Sequence, residues 1–167
     1  KMGYYADNHW VHRYTTEQIS QLLVGEITGG MDEHGLEGPL PDTTDIRAGV
    51  IKFSTEYHRA GATVEKLAEA IGEVHRRTGA PVATHTEKGT MGHRQLDLLA
   101  KAGVPSDAVI LGHIDHNPDP GLLSELADRG AYRMRDMPGR IKSAPDSQSV
   151  GLPTSLRSEE HTAELHY

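Results

Sequence analysis

A unit of one short apolar strand and one amphipathic helix that ends at a glycine occurs three times in succession along the chain. Gly79, Gly103 and Gly130 follow the three helices, where a left-handed C-cap favours glycine. The alternation predicts a parallel α/β sheet whose consecutive strands are joined by helices. The predicted strands are 48–53, 81–85, 109–113 and 131–136, and the predicted helices between them are about 63–78, 91–102 and 119–129.

A further helix precedes the first unit. Thr15 and Gln18 have the spacing of a capping box, in which each residue pairs with the backbone N–H of the other. Apolar residues then recur on one helical face until Gly29-Gly30 ends the run. Residues 31–45 contain two glycines and two prolines and are predicted to form a loop.

Parallel sheets occur either as open doubly wound sheets or as closed barrels, and the pattern alone does not choose between them. No glycine-rich dinucleotide or phosphate loop follows any predicted strand. A closed (β/α)₈ barrel usually needs ~250 residues. A chain of 167 residues would therefore form only part of one.

Composition excludes several classes of function. The formal net charge of -7 argues against nucleic-acid binding, which requires concentrated positive charge. No apolar run approaches the ~20 residues of a membrane span, and the default location is cytoplasmic. The chain has no cysteine, so disulfides, thiolate metal sites and a cysteine nucleophile are excluded. A metal ion would have to be held by His, Asp, Glu or a modified Lys.

Three polar residues, Lys52, His85 and His113, end three successive predicted strands. They are 33 and 28 residues apart, which corresponds to one βα unit per step. The carboxyl ends of parallel strands meet at one face, where ligands bind. A single strand-end histidine is more often structural, and a single lysine often extends to solvent. Their shared position favours one site, although a flavodoxin-like protein with structural histidines remains an alternative.

The three residue types have suitable chemistry for binding metal. A lysine in a low-dielectric pocket can lose its proton, and carboxylation by CO₂ would then make it an anionic bridge between two ions. Neutral imidazoles suit zinc and its neighbours in the divalent series. Two ions about 3.5–4 Å apart would activate a bridging hydroxide and polarise a carbonyl or phosphoryl oxygen.

Longer motifs resemble those of the phosphotriesterase family. The match covers roughly residues 3–145, in the order and spacing of that family. The motifs are Gly49-Val50-Ile51-Lys52, the run 78–87 from Thr78 to Glu87, Gly89-Thr90-Met91-Gly92, Gln95-Leu96-Asp97, Leu111-Gly112-His113-Ile114-Asp115, Asn117-Pro118-Asp119 and Arg129-Gly130-Ala131-Tyr132, followed by Asp136, Gly139 and Arg140.

The resemblance implies a partial (β/α)₈ TIM barrel of the amidohydrolase superfamily, covering roughly strands 3 to 7. It also implies two divalent metal ions, with zinc expected. Lys52 would be the carboxylated bridging ligand, and His85 and His113 would bind the more exposed ion. The remaining ligands of the family, a His-x-His pair and an Asp, have no match here, and His9 and His12 are spaced too widely to replace the pair. We therefore expect a fragment that is inactive by itself.

The resemblance also suggests roles for four further residues. Tyr5 would line the substrate pocket, with packing inside the barrel as an equal alternative. Asp115 would orient a ligand or move a proton. Asp136 and Arg140 would face the substrate, and Arg140 would contact an acyl or phosphoryl oxygen.

The implied function is hydrolysis of a lactone, ester or phosphotriester by a metal-bridging hydroxide, in the lactonase-like branch of the family. The alternative is a non-catalytic binding protein on the same scaffold. The expected partner is a small-molecule substrate, without nucleic acid or membrane, and the intact protein is compatible with a homodimer. Residues 1–145 would form the barrel domain. Residues 146–167 would be a tail that is disordered or artefactual, since 155–165 resembles a translated sequencing adapter.

Overall fold

The protein is described by a computed structural model covering residues 9–35, 40 and 42–136. Its helices are α1 (Trp10–Arg13), α2 (Thr16–Thr28), α3 (Ala62–Thr78), α4 (Gly92–Lys101) and α5 (Pro120–Asp128), and its strands are β1 (Ile51–Thr55), β2 (Val82–Thr86), β3 (Val109–Gly112) and β4 (Tyr132–Arg133). Short 3₁₀ turns occupy Glu87–Gly89, Ser106–Ala108 and Ile114–His116.

The four strands form one parallel sheet in the order β1-β2-β3-β4. Each strand pairs with the next one along the chain. A doubly wound sheet reverses its strand order at a switch point, and the described strands contain no such reversal. The sequential order therefore favours the barrel over the flavodoxin-like alternative.

The two faces of the sheet have different environments. Side chains that alternate along the strands on one face are buried against the helices, for example Phe53, Val82 and Leu111. On the other face Lys52 is exposed and His85 is half-buried. The sheet thus has helices on one face and uncovered side chains on the other. This is the arrangement of a barrel wall, in which alternate residues point to the interior.

Most predicted elements are present close to their predicted bounds. The capping box at Thr15 is formed, with both reciprocal hydrogen bonds, and it begins α2. The structure corrects the first strand, which was predicted at 48–53 and is found at Ile51–Thr55. Pairing with β2 begins at Ile51 and continues through Thr55, so the polar residues after Phe53 belong to the strand. Lys52 is therefore its second residue and does not end it.

A cavity of about 260 Å³ lies where α1 and α2 meet the outer edge of β1. Apolar side chains such as Trp10, Leu23 and Phe53 line it, together with Glu26 and Lys52. Among the described strands, β1 pairs only with β2. None of the helices in the described part of the chain combines the length and the apolar character needed to cross a membrane.

Two helical glycines should respond oppositely to alanine. At Gly72 in α3, a Cβ would lie 2.1 Å from the carbonyl oxygen of Ala102, whereas at Gly25 in α2 nothing lies within 4 Å. We expect Gly72→Ala to lower the free energy of unfolding by about 1–3 kcal/mol through overpacking. Gly25→Ala should raise it by about 0.5–1 kcal/mol, because alanine is the better helix former. Urea unfolding of both variants measures this, and equal shifts would contradict the packing at Gly72.

Candidate functional site

Two of the predicted site residues, His85 and His113, meet at the carboxyl end of the sheet. His85 is the fourth residue of β2, and His113 directly follows β3. Their ring centroids are 4.7 Å apart, with an edge-to-face angle of 73°. Each side chain is about a quarter exposed, at 25% and 26%. Both imidazoles are therefore close enough to act on one ligand and remain accessible to it.

The backbone around His113 shows why the rings meet. Gly112 pairs with His85, and a Cβ on Gly112 would lie only 2.4 Å from the carbonyl oxygen of Thr84. The absent side chain lets β3 approach β2 closely at this point. His113 then adopts a left-handed conformation with φ of 59°, which turns the chain into the Ile114–His116 turn. A non-glycine residue in that region costs about 1–2 kcal/mol, and such strain concentrates at functional sites.

A carboxylate accompanies each imidazole. Oδ2 of Asp136 lies 2.8 Å from Nδ1 of His113, although the contact is not aligned as a hydrogen bond. Oε2 of Glu87 lies 3.4 Å from Nε2 of His85. A carboxylate at one ring nitrogen orients the ring and leaves the other nitrogen for a ligand. Asp136 was predicted to face the substrate, and its contact with His113 was not predicted.

Lys52 lies on the same open face of the sheet, on the neighbouring strand. It pairs with Ala83, and the next pair on this face, two residues further along both strands, is Ser54 with His85. Along the strand direction, Lys52 therefore lies two residues before the level of His85, a distance of about 6.6 Å. An extended lysine side chain spans a similar length. The third predicted residue therefore belongs to the same face, although its side chain is exposed in the described chain.

The remaining predicted residues have different outcomes. Asp115 is buried, with 7% of its surface exposed, in the turn that follows His113. The ring of His116 stacks on that of His113, at 6.0 Å and 23°. Tyr5 and Arg140 lie outside the described residues.

The donor set fits part of a metal centre. Two accessible imidazoles supply nitrogen donors, and Lys52 on the same face would supply oxygens if carboxylated. These donors suit zinc-like ions. Within residues 9–35, 40 and 42–136, no group of three or more His, Asp or Glu side chains is placed to hold an ion alone. Further ligands would be needed to complete the centre.

The rim of this face is built from strained turns. His58, Lys88 and Met91 all have positive φ and lie in the segments that follow β1 and β2. The ammonium group of Lys88 lies 5.2 Å from the centroid of the Tyr57 ring, which links these two segments. Left-handed non-glycine residues thus occur in both segments that follow β1 and β2, at the carboxyl end of the sheet, and such strain often accompanies functional sites.

A sequential parallel sheet, with helices on one side and imidazoles at its carboxyl end, defines an α/β barrel protein of which the described strands form part. A comparison with protein families then identifies the particular group. The model of the phosphotriesterase family matches residues 1–165, and the chain belongs to that family.

Individual relatives agree with the family. The chain is 32% identical over 139 residues to a phospho-furanose lactonase of Mycoplasmopsis synoviae, covering 83% of this chain and 39% of the relative. It is 31% identical over 159 residues to a phosphotriesterase homology protein of Escherichia coli, covering 93% and 51%. A crystal structure of a lactonase from Listeria monocytogenes superposes with a TM-score of 0.69 at 35% identity, covering 83% and 39%. The chain thus spans 39% to 51% of the length of these relatives.

Proposed function

We propose that the full-length protein is a metal-dependent hydrolase that opens a lactone or cleaves a related ester or phosphotriester. The observation that carries the proposal is the contact of His85 and His113 at the carboxyl end of the sheet, at 4.7 Å and with a carboxylate beside each ring. The lactonase names of two relatives support a lactone as substrate.

The chain's own residues would divide the work of holding the metal ions. His85 and His113 would hold the more exposed ion, each through the ring nitrogen that its carboxylate leaves open. Lys52, once carboxylated, would bridge to the second ion from the neighbouring strand. When bound, divalent ions supply an activated hydroxide and polarise the substrate oxygen.

Other residues of the chain would handle the proton and the substrate. Asp115 is buried beside His113 and would take or pass the proton released in hydrolysis. Arg140 would pair with an acyl or phosphoryl oxygen, and Tyr5 would line the pocket. The strained turns at Lys88 and Met91 would form part of the wall that orients the substrate.

The experiment is metal analysis of the full-length protein together with a lactonase assay. We expect close to two divalent ions per chain and hydrolysis of small γ- or δ-lactones, tested with and without a phosphate group. His85→Asn should remove the more exposed ion and lower the rate by at least ~100-fold, since loss of supporting partners alone costs ~10–100-fold.

His34→Asn is the matched control, because His34 is exposed and lies in the segment between α2 and the start of β1, whereas the imidazole pair lies at the carboxyl end of the sheet. It should leave both metal content and rate unchanged. A full-length protein that binds divalent ions tightly but hydrolyses no lactone, ester or phosphotriester would favour a binding protein. A protein that binds no divalent ion would contradict the metal site itself.

A further inference from the structure

Behind the imidazole pair, on the helix side of the sheet, lies a group of buried polar side chains. Gln95, Thr55 and Thr86 are 0%, 1% and 0% exposed. The amide nitrogen of Gln95 donates to Thr55 Oγ1 and to the backbone carbonyl of His85, both at 2.8 Å. The hydroxyl of Thr86 donates to the carbonyl of Gly112, also at 2.8 Å. We call these three residues the buried brace.

The brace contacts the backbone at the two points that determine where the imidazoles lie. One accepting carbonyl belongs to His85 itself, and the other belongs to Gly112, which directly precedes His113. The brace also joins three strands, because Thr55 lies on β1, Thr86 on β2 and Gly112 on β3. Two of its three hydrogen bonds therefore reach the backbone at the imidazoles, and the third joins Gln95 to β1.

Gln95 has one satisfied and one unsatisfied end of its amide group. Oε1 of Gln95 is buried and accepts no hydrogen bond from any described residue. A buried polar atom without a partner lowers stability, whereas the two hydrogen bonds that the amide nitrogen donates raise it. An apolar residue of similar volume would leave the carbonyl of His85 without this donor.

We propose that Gln95 and Thr86 are positioning residues that set the separation of His85 and His113 from behind the sheet. The inference rests on the proposed metal site for its functional consequence. Its structural part, the restraint of the two strand ends, stands independently. Supporting groups around metal ligands typically change metal affinity by ~10–100-fold.

The test uses four variants of the full-length protein. Gln95→Met and Thr86→Val each remove a donor to a carbonyl while keeping similar volume. Thr84→Val is the matched control, because Thr84 is equally buried at 1%, lies two residues earlier on the same strand, and its hydroxyl has no hydrogen-bond partner among described residues. Thr86→Ser keeps the hydroxyl and serves as the rescue variant.

Two readouts are needed. The first is zinc affinity, measured by competition with a chelating dye, and the second is amide hydrogen exchange of the metal-free protein at 85–87 and 112–114. We expect Gln95→Met and Thr86→Val to weaken zinc binding ~10–100-fold and to speed exchange at these strand ends. Thr84→Val and Thr86→Ser should match the wild-type protein in both zinc affinity and amide exchange.

The outcomes separate this inference from the proposed function. If amide exchange at these strand ends is unchanged in both Gln95→Met and Thr86→Val, the brace does not restrain them and the inference is overturned, whether or not the protein binds a metal. Faster exchange with unchanged zinc affinity shows that the brace does not position the ligands, and the inference is overturned. If the unchanged protein binds no zinc, the metal-site proposal fails, and exchange alone decides whether the brace restrains the two imidazoles.

Discussion

Replacing Lys52 with alanine in the full-length protein is expected to eliminate paired metal binding and to lower hydrolysis by well over ~100-fold, beyond the effect of losing a supporting residue. The reason is position as well as chemistry. Lys52 lies on the same open face of the sheet as His85, on the neighbouring strand and two residues before the level of His85. A carboxylated lysine there would be the only group of the three that supplies two oxygens to share between ions.

The measurement is elemental analysis of purified protein, followed by the lactonase assay. Ser54→Ala is the matched control, since Ser54 lies on the same strand and face and pairs directly with His85. We expect that variant to keep both ions. A Lys52→Ala protein with an unchanged ratio of metal to chain would rule out a bridging role for the lysine.

The repeated units of the fold could be predicted because local signals determine them. Helix α3 has its apolar positions on one face and ends at Gly79, which adopts the left-handed conformation expected of a C-cap. The positions of His85 and His113 at neighbouring strand ends could be predicted from the same local signals. Their contact follows from parallel pairing, because His85 lies opposite Gly112.

Strand ends were less predictable because pairing and not composition determines them. The apolar run ends at Phe53, yet β1 continues to Thr55, whose partner is Thr86. The last strand was predicted at 131–136 and is found at Tyr132–Arg133, with one further backbone hydrogen bond from Met134 to Leu111. Hydrogen bonds to a neighbouring strand extend or shorten a segment in a way that its own residues do not show.

Contacts between distant segments were missed for a similar reason. Asp136 reaches His113 across 23 residues of sequence, and no local pattern relates the two. Gln95 did carry a signal. It lies four residues before Leu99, and therefore on the apolar face of α4, where a polar residue needs a partner. The sequence thus shows that Gln95 is unusual, whereas only the packing of α4 on the sheet shows that its partner is the carbonyl of His85.

Gly112→Ala should affect stability and metal binding together. The added Cβ would lie 2.4 Å from the carbonyl oxygen of Thr84, a backbone atom that cannot rotate away. Relief requires β3 to move from β2 at the pair that sets the imidazole contact. We expect the free energy of unfolding to fall by about 1–3 kcal/mol or more. Zinc affinity should fall by at least ~10–100-fold, which is the effect of removing a group that supports a metal ligand.

Gly49→Ala is the control for this change, because Gly49 lies just before β1 and nothing is within 4 Å of its added Cβ. Urea unfolding of the metal-free proteins separates the strand displacement from any stabilisation by bound metal. Zinc titration then reports the position of the imidazoles. If Gly112→Ala unfolded like Gly49→Ala and bound zinc normally, β2 and β3 could not approach as closely as described. The imidazole contact would then no longer follow from the pairing of His85 with Gly112, and the proposed site would lose its geometric basis.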